Sequence, residues 1–369
     1  MLLEQQTWCL YIKHYYYLNN RTLYIKVQNT KHMKKTLLAI LLAAFLIPAK
    51  LFANPYGYRE YMRPYEDGIP VYQKDNLTIF MNTDIQVELY RPIGAKTTTN
   101  TNVSYNDAEI KTTVRYDLGD DQYIVGHADI DAYRGVGNAS YRTEPLASGD
   151  DVWLGIGNKV ALLKMGRFAT PSAYFGASMA VEGPYSGLFS RGLYPILQSD
   201  QSIALYTKPA KGWMANACYI VANEFDVKKN SAVDVAVTHF SPSGLYVQAM
   251  YQHQEPFTAY GLTSVYKPKD LGLGLSWSNK TTDAQVYQVS IIKDVSIGHG
   301  DAFTWHAGYG YKNYDNQTTK DVSGWYTNAF YVLPQAKNVN VFAQIGSSNE
   351  LVGAVETGVS YVMGMRITL

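Results

Sequence analysis

Residues 351–369 read LVGAVETGVSYVMGMRITL. The odd positions are Leu351, Gly353, Val355, Thr357, Val359, Tyr361, Met363, Met365, Ile367 and Leu369. The even positions are Val352, Ala354, Glu356, Gly358, Ser360, Val362, Gly364, Arg366 and Thr368. One set is apolar, and the other is small, polar or charged. Alternation of this length has period two, the period of a strand with two unlike faces, and not the 3.6 of a helix.

Working back along the chain, the same split recurs. In Leu77–Leu89, the residues Leu77, Ile79, Met81, Ile85, Val87 and Leu89 oppose Thr78, Asn82, Asp84, Gln86 and Glu88. Ile110, Val114 and Tyr116 oppose Glu109, Lys111 and Arg115. Leu271, Leu273, Leu275 and Trp277 oppose two Gly and two Ser. Short breaks rich in Gly, Pro, Asn and Asp, such as Leu118–Asp121, Gly157-Asn158, Pro209–Gly212 and Ser241–Gly244, fit tight hairpin turns. They alternate with longer breaks near 91–108, 136–150, 169–199, 223–230, 279–283, 314–320 and 348–350. Short turns at one end and longer loops at the other form the pattern of an up-and-down barrel.

The expected fold is therefore all-β: a transmembrane antiparallel up-and-down β-barrel of about sixteen strands. They start near Leu77, Glu109, Gln122, Asp151, Lys159, Asp200, Trp213, Ser231, Leu245, Ala259, Leu271, Ala284, Phe303, Val322, Val339 and Leu351. Runs near ten residues suit a tilted strand crossing a bilayer, whereas soluble strands are commonly shorter. Tyr90, Tyr116, Trp213, Trp277, Tyr311, Trp325 and Tyr331 lie near strand ends, where interfacial aromatic girdles belong. The competing fold is a secreted β-sandwich, with the same apolar faces turned inward.

Composition narrows the class. The chain has 369 residues, 17% charged and 14% aromatic, with 32 Tyr and 2 Cys. Abundant aromatics and a net charge of +1 argue against disorder. Two cysteines make no disulfide scaffold. A pI near 7.7 does not suit a basic nucleic-acid binder.

The longest apolar run is Leu37–Ile47, too short for a spanning helix. It follows Met33-Lys34-Lys35 and precedes Pro48 and Leu51-Phe52-Ala53, the order of a secretory signal peptide. Residues 33–53 are read as that signal, with cleavage after Ala53, and residues 1–32 as a start-site artefact ahead of Met33. An extended signal and a short buried helix are the alternatives. Residues 54–74 form an N-terminal extension and residues 75–369 the barrel. Residues 1–53 carry seven Lys/Arg and one acid, so the remainder holds 32 − 7 = 25 basic and 31 − 1 = 30 acidic residues, net −5.

From Val152 to Ala222 the chain resembles the central region of Gram-negative trimeric general porins. Its order is a strand, a short turn, a strand ending Leu163-Lys164-Met165-Gly166-Arg167, a long loop, then Ser199-Asp200-Gln201-Ser202-Ile203 and Lys211-Gly212-Trp213. Asn338–Ala343 and Thr357-Gly358-Val359 are also porin-like. The resemblance implies an outer-membrane porin, a passive channel for ions and small hydrophilic solutes, assembled as a homotrimer in outer-membrane lipid by the barrel-assembly machinery. It implies no cofactor and no nucleic-acid partner. The chain departs from many relatives by ending in Leu369 where they end in Phe. Gly364, Ile367 and Leu369 supply a hydrophobic version of the assembly signal.

The break at 169–199 exceeds hairpin length, and loops this long are usually functional or disordered. Its Tyr174, Phe175, Tyr185, Phe189 and Tyr194 oppose disorder, and the resemblance implies a third loop folded into the lumen. The alternative is an external cap. On the porin pattern Glu182 and Arg191 come from the loop, facing Arg167, Arg115 and Lys111 on the wall as the pore constriction. Gln198 stands where relatives often carry another Arg, which with the net −5 leans the channel towards weak cation preference. His127, Asp129 and Asp131 share one strand face, a thin metal-ligand pattern, and no metal is expected there. No Gly-x-Ser-x-Gly, phosphate loop or paired-Cys site is present, so no enzyme is expected. A structural or adhesive barrel with a closed lumen is the alternative function.

Overall fold

The computed structural model describes residues 68–91, 102–131, 148–177, 188, 193–194, 196, 198–221, 231–281, 283–298, 301–315, 319–333, 336–352 and 355–368. The expected leader and signal, most of the extension, Glu182, Arg191 and Leu369 lie outside them.

Seventeen strands follow in order: β1 (Ile69–Lys74), β2 (Leu77–Arg91), β3 (Asn102–Gly119), β4 (Gln122–Asp131), β5 (Ser148–Gly157) and β6 (Ala161–Ala169). Next come β7 (Gln198–Thr207), β8 (Trp213–Ile220), β9 (Ala232–Phe240), β10 (Leu245–Gln254), β11 (Phe257–Tyr266) and β12 (Leu271–Lys280). The series ends with β13 (Ala284–Gly298), β14 (Asp301–Tyr314), β15 (Val322–Leu333), β16 (Ala336–Val352) and β17 (Val355–Thr368).

Turn chemistry sets the joints. Asp120 and Asp121 both have positive φ, 51° and 63°, the signature of a two-residue type I′ turn between β3 and β4. Asn158 Oδ1 accepts the backbone N–H of Val160 at 2.8 Å and of Ala161 at 3.0 Å, so β6 starts at Ala161 and not at Lys159. Ala210 and Trp213 exchange both backbone hydrogen bonds around Lys211-Gly212.

Each strand from β2 to β17 pairs antiparallel with the next, and β17 pairs with β2, closing a sixteen-strand barrel. Closure removes the open sheet edges that lipid would not tolerate. β1 is the addition. β3 takes one edge of β2; on the other, β17 pairs with Asp84–Arg91 and β1 with Leu77–Met81. Residues 69–74 of the expected extension therefore lie end to end with the closing strand.

The two faces are inverted relative to a soluble protein. Leu154, Ile156, Leu271 and Leu275 are more than half exposed on the outside, while Gln248, Gln252, Ser278 and Ser290 are buried inside. In β17, Val359 is 50% exposed and Ser360 1%. Apolar outside and polar inside is the lipid-embedded arrangement.

Two boundaries move. Leu351 and Val352 belong to β16, so β16 does not end at 348–350 but runs on to Val352, which pairs with Val355 at the start of β17. Leu351 opposes Glu356 and Val352 opposes Val355, while a bulge after Ser348 resets the parity, so alternation continues through the reversal. β3 begins at Asn102 and not at Glu109. Its added segment, Asn102–Ala108, contains a register shift between Tyr105 and Asp107, which interrupts the alternation that marks the rest of the strand.

Candidate functional site

The lumen is shaped by the segment between β6 and β7. Its first residues, Pro171–Tyr174, form one 3-10 turn, where Pro supplies the fixed φ. Ser172 Oγ donates to Asp234 Oδ2 at 2.5 Å, and its backbone N–H to the same oxygen at 3.2 Å. Gln252 Nε2 donates to Asp234 Oδ2 at 2.9 Å and to the Ile196 carbonyl at 2.7 Å. Gln252 Oε1 accepts the Ile196 N–H at 3.0 Å. Both stems of the loop are thus tied to inward side chains of β9 and β10.

Farther in, Ala177 N–H donates to Gln288 Oε1 at 3.3 Å, and Ser290 Oγ donates to the Ala177 carbonyl at 2.6 Å. Gln288 Nε2 donates to the Leu188 carbonyl at 2.9 Å. Phe175 and Tyr194 pack edge to face, 5.1 Å apart, on Ala236, Met250 and Ala259. Gly261 makes room for them: a Cβ there would lie 2.7 Å from the Phe175 ring and 2.8 Å from the Tyr194 hydroxyl. Leu188 packs on Val322 and Tyr326. The described residues of the third loop are folded into the barrel, against inward side chains of β9 to β13 and β15, and form no external cap.

Charge concentrates on another sector. Lys111 Nζ lies 2.5 Å from Glu109 Oε2 and 3.3 Å from Asp129 Oδ2. Arg115 Nε donates to Asp117 Oδ1 at 2.9 Å, and its guanidinium lies 4.5 Å from the Tyr123 ring centre. Arg366 Nε is 2.8 Å from both oxygens of Asp84. Glu88, buried, accepts from Gln86 Nε2 at 3.2 Å. On the inward faces of β2, β3, β4 and β17, the described residues include three cations (Lys111, Arg115, Arg366) and five acids (Asp84, Glu88, Glu109, Asp117, Asp129).

The structure brings Lys111 and Arg115 onto one inward face, each two residues from Thr113. Arg167 sits elsewhere, across from Val152 on β5, beside a bulge at Gly166, whose φ is +140°. A Cβ at Gly166 would fall 2.3 Å from the Val152 carbonyl oxygen, so the bulge needs glycine. Glu182 and Arg191 are outside the described residues. Of the assembly-signal residues, Gly364 pairs with Phe342 and Glu88, and Ile367 with Val339 and Ile85.

Two cations were missed by sequence. Lys164 stands on the inward face of β6 with its Nζ 4.2 Å from the Phe168 ring centre, 4.5 Å from Tyr206 and 4.9 Å from Trp153. Parity from Leu162 and Phe168 marks it, but the Gly-Arg likeness draws attention to Arg167. Arg366 falls on the polar face of the last strand by the same parity. His127 shares a hydrogen bond with Thr113 Oγ1 through Nδ1 at 2.8 Å and stacks on Trp153. Asp129 meets Lys111, and among the described residues no group of three His, Cys, Asp or Glu side chains has metal-holding geometry.

A sequence profile of the family described as Gram-negative porin matches residues 76–351. No curated protein matches the chain. Among solved structures, a loop L8 deletion mutant of OmpT, an outer membrane protein of Vibrio cholerae, is similar at 14% identity, covering 80% of this chain and 100% of that one, with a TM-score of 0.62. An anion-selective porin from Comamonas acidovorans is similar at 10% identity, covering 79% and 100%, with a TM-score of 0.62. OmpF of Salmonella typhi, in complex with daunomycin, gives 10% identity, 82% and 100% coverage, and a TM-score of 0.59. At these identities the likeness is one of fold.

Proposed function

The chain belongs to the Gram-negative porin family and is an outer-membrane porin, and we propose that it is a weakly cation-preferring diffusion channel for ions and small hydrophilic solutes. The carrying observation is the lumen: sixteen strands, wide enough to leave an aqueous channel, with the described residues of the third loop turned inward and five acids and three cations among the described residues of the wall. The fold alone does not set the sign, since an anion-selective porin shares it. The charges do. Glu182 and Arg191 from the loop, with Lys111, Arg115 and Arg167 from the wall, form the constriction in this reading, and Arg366 joins them. Among the described residues, Lys111, Arg115 and Arg366 stand on the inner wall beside carboxylates and not beside a nucleophile with a base, which favours a channel over an enzyme.

A homotrimer fits the outer surface. Outward aromatics ring β8 to β17, for example Trp213, Tyr251, Tyr266, Trp305, Trp325 and Tyr361, whereas the described outward face of β2 to β7 has Tyr116 alone and is otherwise chiefly aliphatic. A face without its interfacial girdle suits contact with another copy of the chain. Export by residues 33–53, with maturation at Asn54, completes the proposal.

Reversal potentials in a salt gradient test the selectivity. Wild type should favour cations, Glu182→Ala should weaken that preference, and Arg115→Ala should strengthen it. Both shifts should shrink as the screening length falls from about 10 Å at 0.1 M salt to about 3 Å at 1 M. Identical potentials in all three proteins would remove these residues from the constriction.

A further inference from the structure

At the end of the barrel with the short turns, one side of the inner wall is apolar. Met214, Phe240, Tyr246, Val265 and Ile292 are inward residues of β8 to β11 and β13, and they form one buried cluster. Phe240 and Tyr246 flank the Ser241–Gly244 turn with ring centres 5.4 Å apart, and Tyr246 pairs with Val265 on the next strand. None of the five is more than 7% exposed. Of the described third-loop residues, Ala177 alone belongs to this cluster, and its one methyl group does not cover five large side chains. An apolar shelf facing an aqueous lumen calls for a cover.

The chain that enters β1 can supply it. β1 starts at Ile69, opposite Met81, and β17 ends at Thr368, opposite Asp84, on the same edge of β2. Asn82 and Thr83 are all that separates the two, so the chain before Gly68 cannot run on along that edge and must leave the wall. Gly68 makes the bend: its φ is +142°, and a Cβ there would lie 2.6 Å from the Met81 carbonyl oxygen. Outside is the apolar belt, where Met81, Ile85 and Met365 are exposed. Residues 54–67 read NPYGYREYMRPYED, with Glu66 and Asp67 directly before the bend. An outward path would take those carboxylates along hydrocarbon, whereas an inward path keeps them in water.

Reach and composition fit the inward path. In the ring from β2 to β17, β10 is eight strands from β2 in either direction, so the shelf lies directly across the lumen. Strands about 4.8 Å apart and tilted by about 40° make a sixteen-strand barrel about 32 Å across. Ten to twelve extended residues span about 33–40 Å, which brings Tyr58 and Tyr56 to the shelf. Tyr56, Tyr58, Tyr61 and Tyr65 carry rings that can pack on apolar side chains while their hydroxyls stay wet.

We propose that residues 54–67 form a strap that crosses the lumen and seats Tyr56 and Tyr58 on the shelf of Phe240, Tyr246 and Val265, narrowing the channel at its turn end. The strap rests on the porin reading above and on maturation at Asn54.

The test is photo-crosslinking in the full protein, with a benzophenone amino acid incorporated at position 58 and the product extracted from outer membranes. Mass mapping should place the crosslink on the stretches of the same chain that carry Phe240, Tyr246 or Val265. Val265→Asn combined with Ile292→Asn makes the shelf polar at lumen-facing positions, where a barrel accepts polar residues. That variant should lose crosslink yield and gain single-channel conductance. A crosslink to lipid, to a neighbouring copy or to none of these stretches would overturn the proposal, as would equal conductance of wild type and variant. If the variant does not fold, the crosslink map of the otherwise unchanged protein decides alone. A conducting barrel whose crosslink maps elsewhere refutes the strap and leaves the porin standing. A crosslinked shelf in a barrel whose shelf variant also passes no current does the opposite.

Discussion

Gly364 shows how a single residue serves the closing seam. A Cβ there would lie 2.5 Å from the Val87 carbonyl oxygen and 2.6 Å from the Phe342 ring, which is buried against the glycine. Gly364→Val should therefore destabilise the folded barrel by about 1–3 kcal/mol, the ordinary cost of overpacking. The check is the temperature at which the compact form on an unheated gel gives way to the unfolded band, which should fall. An unchanged temperature would mean the seam relaxes around the new methyls. At this scale the sequence was legible where parity alone decides. It marked Lys111 and Arg115 as inward, and it marked Ser360 as inward and Val359 as outward. It does not decide at Arg167, because the bulge at Gly166 interrupts the alternation beside it. The family likeness pointed there, while the aromatic-lined Lys164 stood three residues earlier.

Among the elements, the third loop depends on a small set of wall side chains. Asp234, 0% exposed, accepts three hydrogen bonds, from the Ser172 hydroxyl, the Ser172 amide and the Gln252 amide. Asp234→Ala leaves those donors without their acceptor, at a cost of about 1–3 kcal/mol for a buried group. The barrel should still assemble, since β9 keeps its pairing on both sides. The loop stem should loosen, so single-channel traces should become noisier and more often interrupted. Quiet traces identical to wild type would show that packing of Phe175, Tyr194 and Leu188 holds the loop unaided. None of these partners was readable in advance. The loop residues sit 56 to 113 residues in sequence from the wall side chains that hold them, and only the folded barrel brings them together.

The strands themselves were largely legible, and their inside–outside sense is testable at neighbouring positions. Val114 is 40% exposed on the outer face of β3, and Arg115 is the next, inward residue. Val114→Arg places a charge in hydrocarbon and should cost roughly 2–4 kcal/mol near the midplane. Arg115→Val should leave assembly intact and alter selectivity instead. The heat-resistant fraction on a gel distinguishes them. A soluble sandwich predicts the reverse order, with the charge at 115 on the surface and Val114 in the core. What the pattern did not resolve was the boundary between β16 and β17, because the bulge after Ser348 restores alternation across it. β1 was also missed, since all six of its residues are exposed and no buried face imposes a period.

For the whole molecule, three features converge on a channel: the closed ring of sixteen strands, the polar interior and the loop folded across it. A closed adhesive or structural barrel would share the first and need neither of the others. The direct measurement is single-channel conductance of the protein extracted from outer membranes and added to a planar lipid bilayer. The account predicts discrete, long-lived, ohmic current steps, grouped in threes if the trimer inserts as a unit, with larger steps at higher salt. A preparation that is folded and heat-modifiable on a gel yet inserts without passing current would contradict it.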